Sequence, residues 1–88
     1  MIEVKHSVGD EWVVTVKSGS TTSHRVRVSV KDMERFSNGR SVEELLHDSF
    51  RFLLEREANT SILPSFDLNV ISRYFPEYEG EMKKQGRA

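Results

Sequence analysis

The sequence predicts a single α+β domain, 1–88, in which a three-stranded antiparallel meander is followed by a main helix and a short C-terminal helical segment packed on one sheet face. Eight of the ten valines lie in residues 1–31, whereas all six leucines follow residue 44. Because β-branched residues favour strands and leucine favours helices, we expect strands over 1–31, a helical half over 32–80 and a frayed tail over 81–88.

Three runs of alternating apolar and polar residues predict the meander. The first covers residues 2–8, and Gly9-Asp10 then offers a two-residue turn with glycine in the first place. The second covers 11–17 and the third 24–30, joined by a flexible loop, "SGSTTS", at 18–23. Such a meander buries one face of its sheet. The apolar-parity positions predicted on that face are Ile2, Val4, His6, Val8, Trp12, Val14, Val16, Val26, Val28 and Val30.

The opposite face of the predicted sheet is polar and carries the basic residues of the first half. Arg25, Arg27 and Ser29 alternate along the third run, so we expect them to project together from one strand. A β-ribbon can enter the major groove of DNA, which makes these three residues the candidate nucleic-acid contacts. The other interpretation is a solvated face whose basic side chains discourage aggregation. A net charge of −1 favours the solvated face.

The second half is predicted to be helical. Residues 32–36 can form one turn that ends at Asn38-Gly39. Ser41 and Glu44 then form a capping box, and apolar residues at spacings of three and four predict the main helix over 41–57. The residues of this stripe are Val42, Leu45, Leu46, Ser49, Phe50 and Leu53.

The apolar surface of the main helix is wider than one sheet face needs, because Phe52 and Leu54 extend it on either side to about 200°. Either the C-terminal segment or a second copy of the chain covers these flanks. Residues 61–78 hold four of the eight aromatic residues, which suits a lid over the helix or a set of interface anchors. The candidate interface residues are Phe52, Leu54, Tyr74 and Tyr78.

Within the C-terminal segment, Asp67 is predicted to cap a helix, with Phe66 and Ile71 as a hydrophobic staple. Pro76 disfavours helix at the residue before it and can begin a new turn. The acids after Pro76 precede two lysines, an order that matches the helix dipole. We therefore expect two short helical pieces separated at Pro76.

No catalytic, metal or cofactor site is predicted. Cysteine is absent, which excludes disulfides and thiolate chemistry. His6, His24 and His47 lack the HxH and HxxxH spacings of metal ligands, and no GxSxG or phosphate-loop motif occurs. We expect no enzyme activity, no cofactor and no small-molecule ligand. Glu55 and Glu57 stand near the end of the main helix, where its dipole disfavours acids, and the sequence gives no account of them.

The sequence also predicts no contact with membranes. The first twelve residues, "MIEVKHSVGDEW", lack the apolar core of a signal peptide. No apolar run approaches the ~18 residues of a transmembrane span. We therefore expect a cytoplasmic protein.

The segment "HRVRVSVKDMERFSNGRSVEELLHDSFRFLLERE", residues 24–57, resembles a ribbon–helix–helix DNA-binding unit. In that family an alternating strand reads DNA, and a second helix opens after a Gly-x-Ser turn, which Gly39-Arg40-Ser41 supplies here. The resemblance implies that Arg25, Arg27 and Ser29 are the base-reading positions.

The whole chain, and "SILPSFDLNVISRYFPEYE" after "FRFLLERE" in particular, is similar to a group of small uncharacterised bacterial proteins, a resemblance that implies no activity. Taken together, the residues predict a non-catalytic protein that acts through protein–protein contact, including self-association as a homodimer. The alternative is a DNA-binding regulator or antitoxin-like protein that reads DNA with strand 24–30.

Overall fold

A computed structural model describes residues 1–84. The chain forms a four-stranded sheet in the spatial order β1-β2-β3-β4, with its helices packed on one face. The strands are β1 Ile2–Val8, β2 Glu11–Ser18, β3 Ser20–Arg27 and β4 Ser65–Asp67. The first three form the predicted antiparallel meander. The fourth, which the sequence did not predict, pairs parallel with β3.

Glycine reverses the chain at both hairpins of the meander. Gly9 and Gly19 have φ of +56° and +76°, a conformation that residues with a Cβ rarely adopt. β2 and β3 stay paired up to Ser18 and Ser20, so Gly19 alone completes the second turn. The predicted flexible loop over 18–23 is therefore wrong, because its threonines and serines extend β3.

β3 ends earlier than the sequence predicted. α1, Val30–Phe36, begins directly after it, capped by Ser29, whose hydroxyl accepts from the Asp32 amide at 3.1 Å. The Asp32 carboxylate accepts from the Ser29 amide in return, also at 3.1 Å. Val30 is consequently the first residue of a helix and 73% exposed, not a buried strand residue.

The far end of β1 also differs from the prediction. A bulge between His6 and Val8 shifts the pairing with β2, and Val8 is exposed rather than buried. His6 is exposed as well, with its ring 4.7 Å from that of Trp12. The regular part of β1 therefore runs from residue 2 to residue 6.

α2, Val42–Leu54, is the main helix. Its predicted capping box is confirmed: Ser41 Oγ accepts from the Glu44 amide at 3.1 Å and the Glu44 carboxylate accepts from the Ser41 amide at 3.0 Å. Asn38 and Gly39 precede it with positive φ, as expected for the turn between two helices. The residues that α2 buries are Leu45, Leu46, Ser49, Phe50, Phe52 and Leu53.

The residues after α2 return to the sheet, where they add a strand beside β3, and then pack against α2. A single 3₁₀ turn, Asn59–Ser61, leads into β4, and two helices follow, α3 Val70–Tyr74 and α4 Tyr78–Lys84. Asp67 lies in β4 and caps no helix, because Phe66 inserts beside Val26 in the core and turns Asp67 to the open face. The predicted break at Pro76 is confirmed.

The end of the chain is more ordered than a frayed tail. Residues 81–84 continue α4, and Met82 is fully buried. Residues 85–88, which the same prediction included, lie outside the described residues.

The hydrophobic core lies between the helices and one sheet face. Val14, Val16 and Val26 are fully buried on that face, whereas Arg25 and Arg27 are exposed on the other. The alternation along the strands therefore predicted correctly which face the helices cover. Within residues 1–84, no helix has the length and hydrophobicity that a transmembrane span needs.

Candidate functional site

An open and mainly apolar groove lies beside the core at the end of α2. It encloses about 380 Å³ between the end of α2, the segment around Ile62, β4 and α3. Its floor consists of buried core residues, namely Leu53, Ile62, Phe66 and Ile71. At its rim, Leu63 and Tyr74 are 44% and 68% exposed. Apolar side chains are thus left partly uncovered beside the core.

A partly buried chain of hydrogen bonds holds one wall of this groove. His24 projects from β3, and its Nδ1 lies 2.8 Å from the carbonyl oxygen of Leu63. A carbonyl only accepts, so Nδ1 donates, and Nε2 lies 2.8 Å from the Thr22 hydroxyl, which can donate to it when the ring is neutral. Asn59 in turn donates to Thr22 Oγ1 at 3.1 Å and to the carbonyl of Ser20 at 2.9 Å. The sheet therefore fixes the backbone that presents Leu63.

α3 supplies the opposite wall. The sharp stop before Pro76 keeps α3 to one and a half turns, with Ile71 pointing into the core and Tyr74 at the surface. Phe75 closes the helix and packs edge-on against Phe52, with ring centroids 5.8 Å apart. This packing sets α3 at a fixed position over α2.

Glu57 is the one charged side chain that lines the groove within residues 1–84. Its carboxylate makes no hydrogen bond or ion pair with any described residue. The neighbouring Arg56 is engaged elsewhere, since it stacks on Phe52 at 3.6 Å and pairs with Glu77 at 3.2 Å. An acid just beyond the end of a helix is unfavourable for the helix dipole, so helix stability does not explain Glu57.

The four candidate interface residues differ in their exposure and in their position relative to the groove. Phe52 and Tyr78 are 3% and 0% exposed, so the expectation that they contact a partner is corrected: the C-terminal segment covers them inside this chain. Leu54 is half-buried and lies outside the groove lining. Tyr74 is the one of the four that stands at the groove.

The three candidate nucleic-acid contacts do not lie together on one surface. Arg25 and Arg27 are exposed on the open sheet face, but Ser29 caps α1 and does not project beside them. Arg27 Nε donates to Asp67 in β4 at 2.6 Å, which neutralises part of the basic surface. β2 pairs along one edge of β3 and β4 pairs with Arg25–Arg27 on the other, so the strand edges beside the two arginines are not free for a further strand.

The histidines and the buried Tyr78 form no further site within residues 1–84. His6, His24 and His47 do not converge, and no group of His, Cys, Asp and Glu within residues 1–84 is arranged to hold a metal ion. Burial raises the pKa of Tyr78, whose hydroxyl lies 2.6 Å from that of Ser49 in the core.

Comparisons of the chain with protein-family models, curated proteins and solved structures find no significant match. The candidate site is therefore defined by its geometry. Sequence reasoning singled out Tyr74 but missed Leu63 and Ile62, because the groove forms only when β4 places this segment against β3. Glu57, one of the two acids that the sequence left unexplained, was a second signal of the site beside Tyr74.

Proposed function

We propose that this chain is a non-catalytic protein that acts through protein–protein contact, and that its groove receives a segment of the partner. The observation that supports this most directly is the exposure of Tyr74 at the rim of an apolar groove whose floor is core. Aromatic side chains beside a pocket commonly anchor protein interfaces. A volume of about 380 Å³ accommodates a few side chains of a bound segment.

The charge at the groove specifies the partner further. Glu57 has no cationic partner among residues 1–84, so a Lys or Arg beside an apolar side chain complements the lining better than a neutral or acidic segment. The preferred segment is therefore an aromatic or aliphatic residue with a basic neighbour.

Peptide selection tests this proposal. Random peptides displayed on phage are selected on the immobilised protein and then measured individually by fluorescence anisotropy. We expect the selected peptides to share an apolar residue beside a basic one. They should bind Tyr74→Ala at least about tenfold more weakly than the unmodified chain. They should also bind Glu57→Gln more weakly, because the salt-dependent attraction between Glu57 and the basic residue is lost. Val30→Ala is the matched control, because Val30 is similarly exposed but lies far from the groove lining. Selected peptides that bind Tyr74→Ala as tightly as the unmodified chain would contradict the proposal.

Nucleic-acid binding by the open sheet face is the second candidate. Its support is Arg25, which is exposed and forms no ion pair with any residue of 1–84. Gel-shift titration over a range of salt concentrations tests it, since phosphate contacts make affinity fall steeply with salt. Unchanged DNA affinity in the double variant Arg25→Ala, Arg27→Ala would exclude this face.

A further inference from the structure

β1 is an edge strand whose outer backbone groups have no hydrogen-bond partner among residues 1–84. Met1 and Lys17 exchange two backbone hydrogen bonds, both of 2.9 Å. In an antiparallel ladder such pairs alternate, so Glu3 and Lys5 also bond to β2, whereas Ile2, Val4 and His6 direct their N–H and C=O groups outward. Among residues 1–84, no backbone or side-chain partner reaches these outward groups.

This edge is suited to pairing with another strand. It is regular from residue 2 to residue 6, contains no proline, and ends at the bulge after His6. The other edge of the sheet, β4, has only three residues. On the helical side of β1, an open hollow of about 380 Å³ lies between Val4 and the polar side chains of α2. Exposed edges of this kind recruit extended segments by main-chain hydrogen bonding.

We infer that β1 pairs antiparallel with β1 of a second copy of the chain, about a two-fold axis at Val4. This inference supplies a surface for the self-association that the sequence predicts, and it is independent of the partner contact proposed for the groove. It joins two four-stranded sheets into one continuous sheet, and all three outward residues of each copy find a partner. Two-fold pairing is the usual symmetry of homodimers, because each copy offers the same self-complementary surface.

Charge selects this register over its neighbours. With Val4 opposite the partner's Val4, Glu3 lies opposite the partner's Lys5 on the open face, and the symmetry makes this contact twice. Glu3 also contacts Lys17 of its own chain at 3.5 Å, so it would lie between two lysines. Ile2 then lies opposite the partner's His6 on the helical side. Moving the axis by one residue places Lys5 opposite Lys5 or Glu3 opposite Glu3. Directly opposed like charges destabilise a strand pair, whereas opposite charges stabilise it.

Charge reversal and sedimentation equilibrium test the inference with the full chain. We expect a dimer whose dissociation constant rises at least about tenfold in Lys5→Glu, because two attractive contacts become repulsive. The double variant Glu3→Lys, Lys5→Glu restores opposite charges across the axis, so its dissociation constant should return close to that of the unmodified chain. Urea unfolding of each variant, followed by circular dichroism, verifies that the fold is retained.

A backbone test is independent of charge. His6→Pro removes an outward N–H from an edge position where proline is tolerated, and it should weaken the dimer. His6→Ala removes the same side chain but keeps the N–H, and it should leave the dimer intact. A single species of monomer mass at millimolar concentration would overturn the inference, and so would a dimer indifferent to both Lys5→Glu and His6→Pro.

The same experiments distinguish failure of the edge pairing from failure of the proposed partner contact at the groove. Peptides that bind at Tyr74 to a strictly monomeric chain would leave the proposed partner contact standing and remove the edge pairing. A dimer that dissociates in Tyr74→Ala but not in Lys5→Glu would place self-association in the groove and overturn the edge pairing.

Discussion

The hydroxyl groups of Ser49 and Tyr78 share a hydrogen bond of 2.6 Å in the core, across 29 positions of the chain. Ser49 Oγ also donates to the carbonyl of Leu45 at 2.6 Å, so Tyr78 is the donor to Ser49. The Tyr78 ring contacts Phe36 and Phe52, with centroids 5.1 and 5.3 Å away. One side chain of α4 is thereby fixed to the middle of α2 and to α1.

Removing either hydroxyl destabilises the chain unequally. Ser49→Ala leaves the Tyr78 hydroxyl buried without an acceptor, which costs about 1–3 kcal/mol, whereas Tyr78→Phe removes one hydrogen bond and costs about 0.5–1.5 kcal/mol. The double variant should cost less than the sum of the two, because the groups interact directly. Urea unfolding measures all three, with Tyr74→Phe at the surface as the control. Strict additivity would contradict the hydrogen bond.

Alkaline pH should unfold the chain through Tyr78. Burial raises the pKa of Tyr78 above its unfolded value of about 10. The stability contributed by the neutral phenol is therefore complete below about pH 10, and it is lost as pH rises from there towards the folded pKa, at up to about 1.4 kcal/mol per pH unit.

The free energy of unfolding, measured between pH 8 and pH 11.5, tests this dependence. Tyr78→Phe should flatten the loss at high pH, while Tyr74→Phe should follow the unmodified chain because Tyr74 is exposed. Identical profiles for Tyr78→Phe and the unmodified chain would show that lysines, not Tyr78, cause the alkaline loss.

The buried ion pair of Arg40 and Asp48 should respond asymmetrically to mutation. Arg40 Nε donates to the Asp48 carboxylate at 2.7 Å, and the side chains are 1% and 24% exposed. Arg40 Nη2 is already without a hydrogen-bond partner among residues 1–84. Asp48→Ala leaves the buried Arg40 cation without its carboxylate partner and should lower the free energy of unfolding by about 3–5 kcal/mol. Arg40→Met leaves a carboxylate that water can reach, so its cost in thermal or urea unfolding should be smaller. A larger cost for Arg40→Met would contradict this account.

The buried His24 should control the order of the groove wall. His24→Phe keeps an aromatic ring beside Phe50, whose centroid lies 5.4 Å away, but removes the bond to the Leu63 carbonyl. The Arg25 amide, which donates to the Pro64 carbonyl at 2.9 Å, should then exchange with solvent at least about tenfold faster. Thr22→Val is the milder control, since it leaves the bond from His24 to Leu63 in place. Unchanged exchange at Arg25 would show that β4 pairing alone fixes the wall.

Local patterns predicted those parts of the fold that depend on neighbours in sequence. Alternation placed Val14, Val16 and Val26 in the core, and the Ser41–Glu44 capping box marked the start of α2. The capping box at Ser29 and Asp32 was missed because the alternation of Val26, Val28 and Val30 continues through it. A strand pattern and a helix start overlap there, and only the observed hydrogen bonds decide between them.

β4 and the groove could not be predicted by the same means. Three residues carry too little alternation to mark a strand, and Asp67 after Phe66 has the local appearance of a helix cap. The pairing of Phe66 with Val26 is non-local, as is the contact of His24 with Leu63. Tyr78 looked like an exposed anchor for the same reason, since what buries it comes from α1 and α2.

The late arrival of β4 has a consequence for biosynthesis. Asp67 reaches Arg27 across 40 positions, so β3 leaves the ribosome well before the strand that completes its outer edge. At ordinary elongation rates that interval lasts about 2–8 s, during which the valine-rich hairpins expose a second open edge. Nascent chains stalled before residue 65 should therefore be prone to aggregation and should depend on chaperones. Chains in which residue 67 has left the ribosome should show neither property.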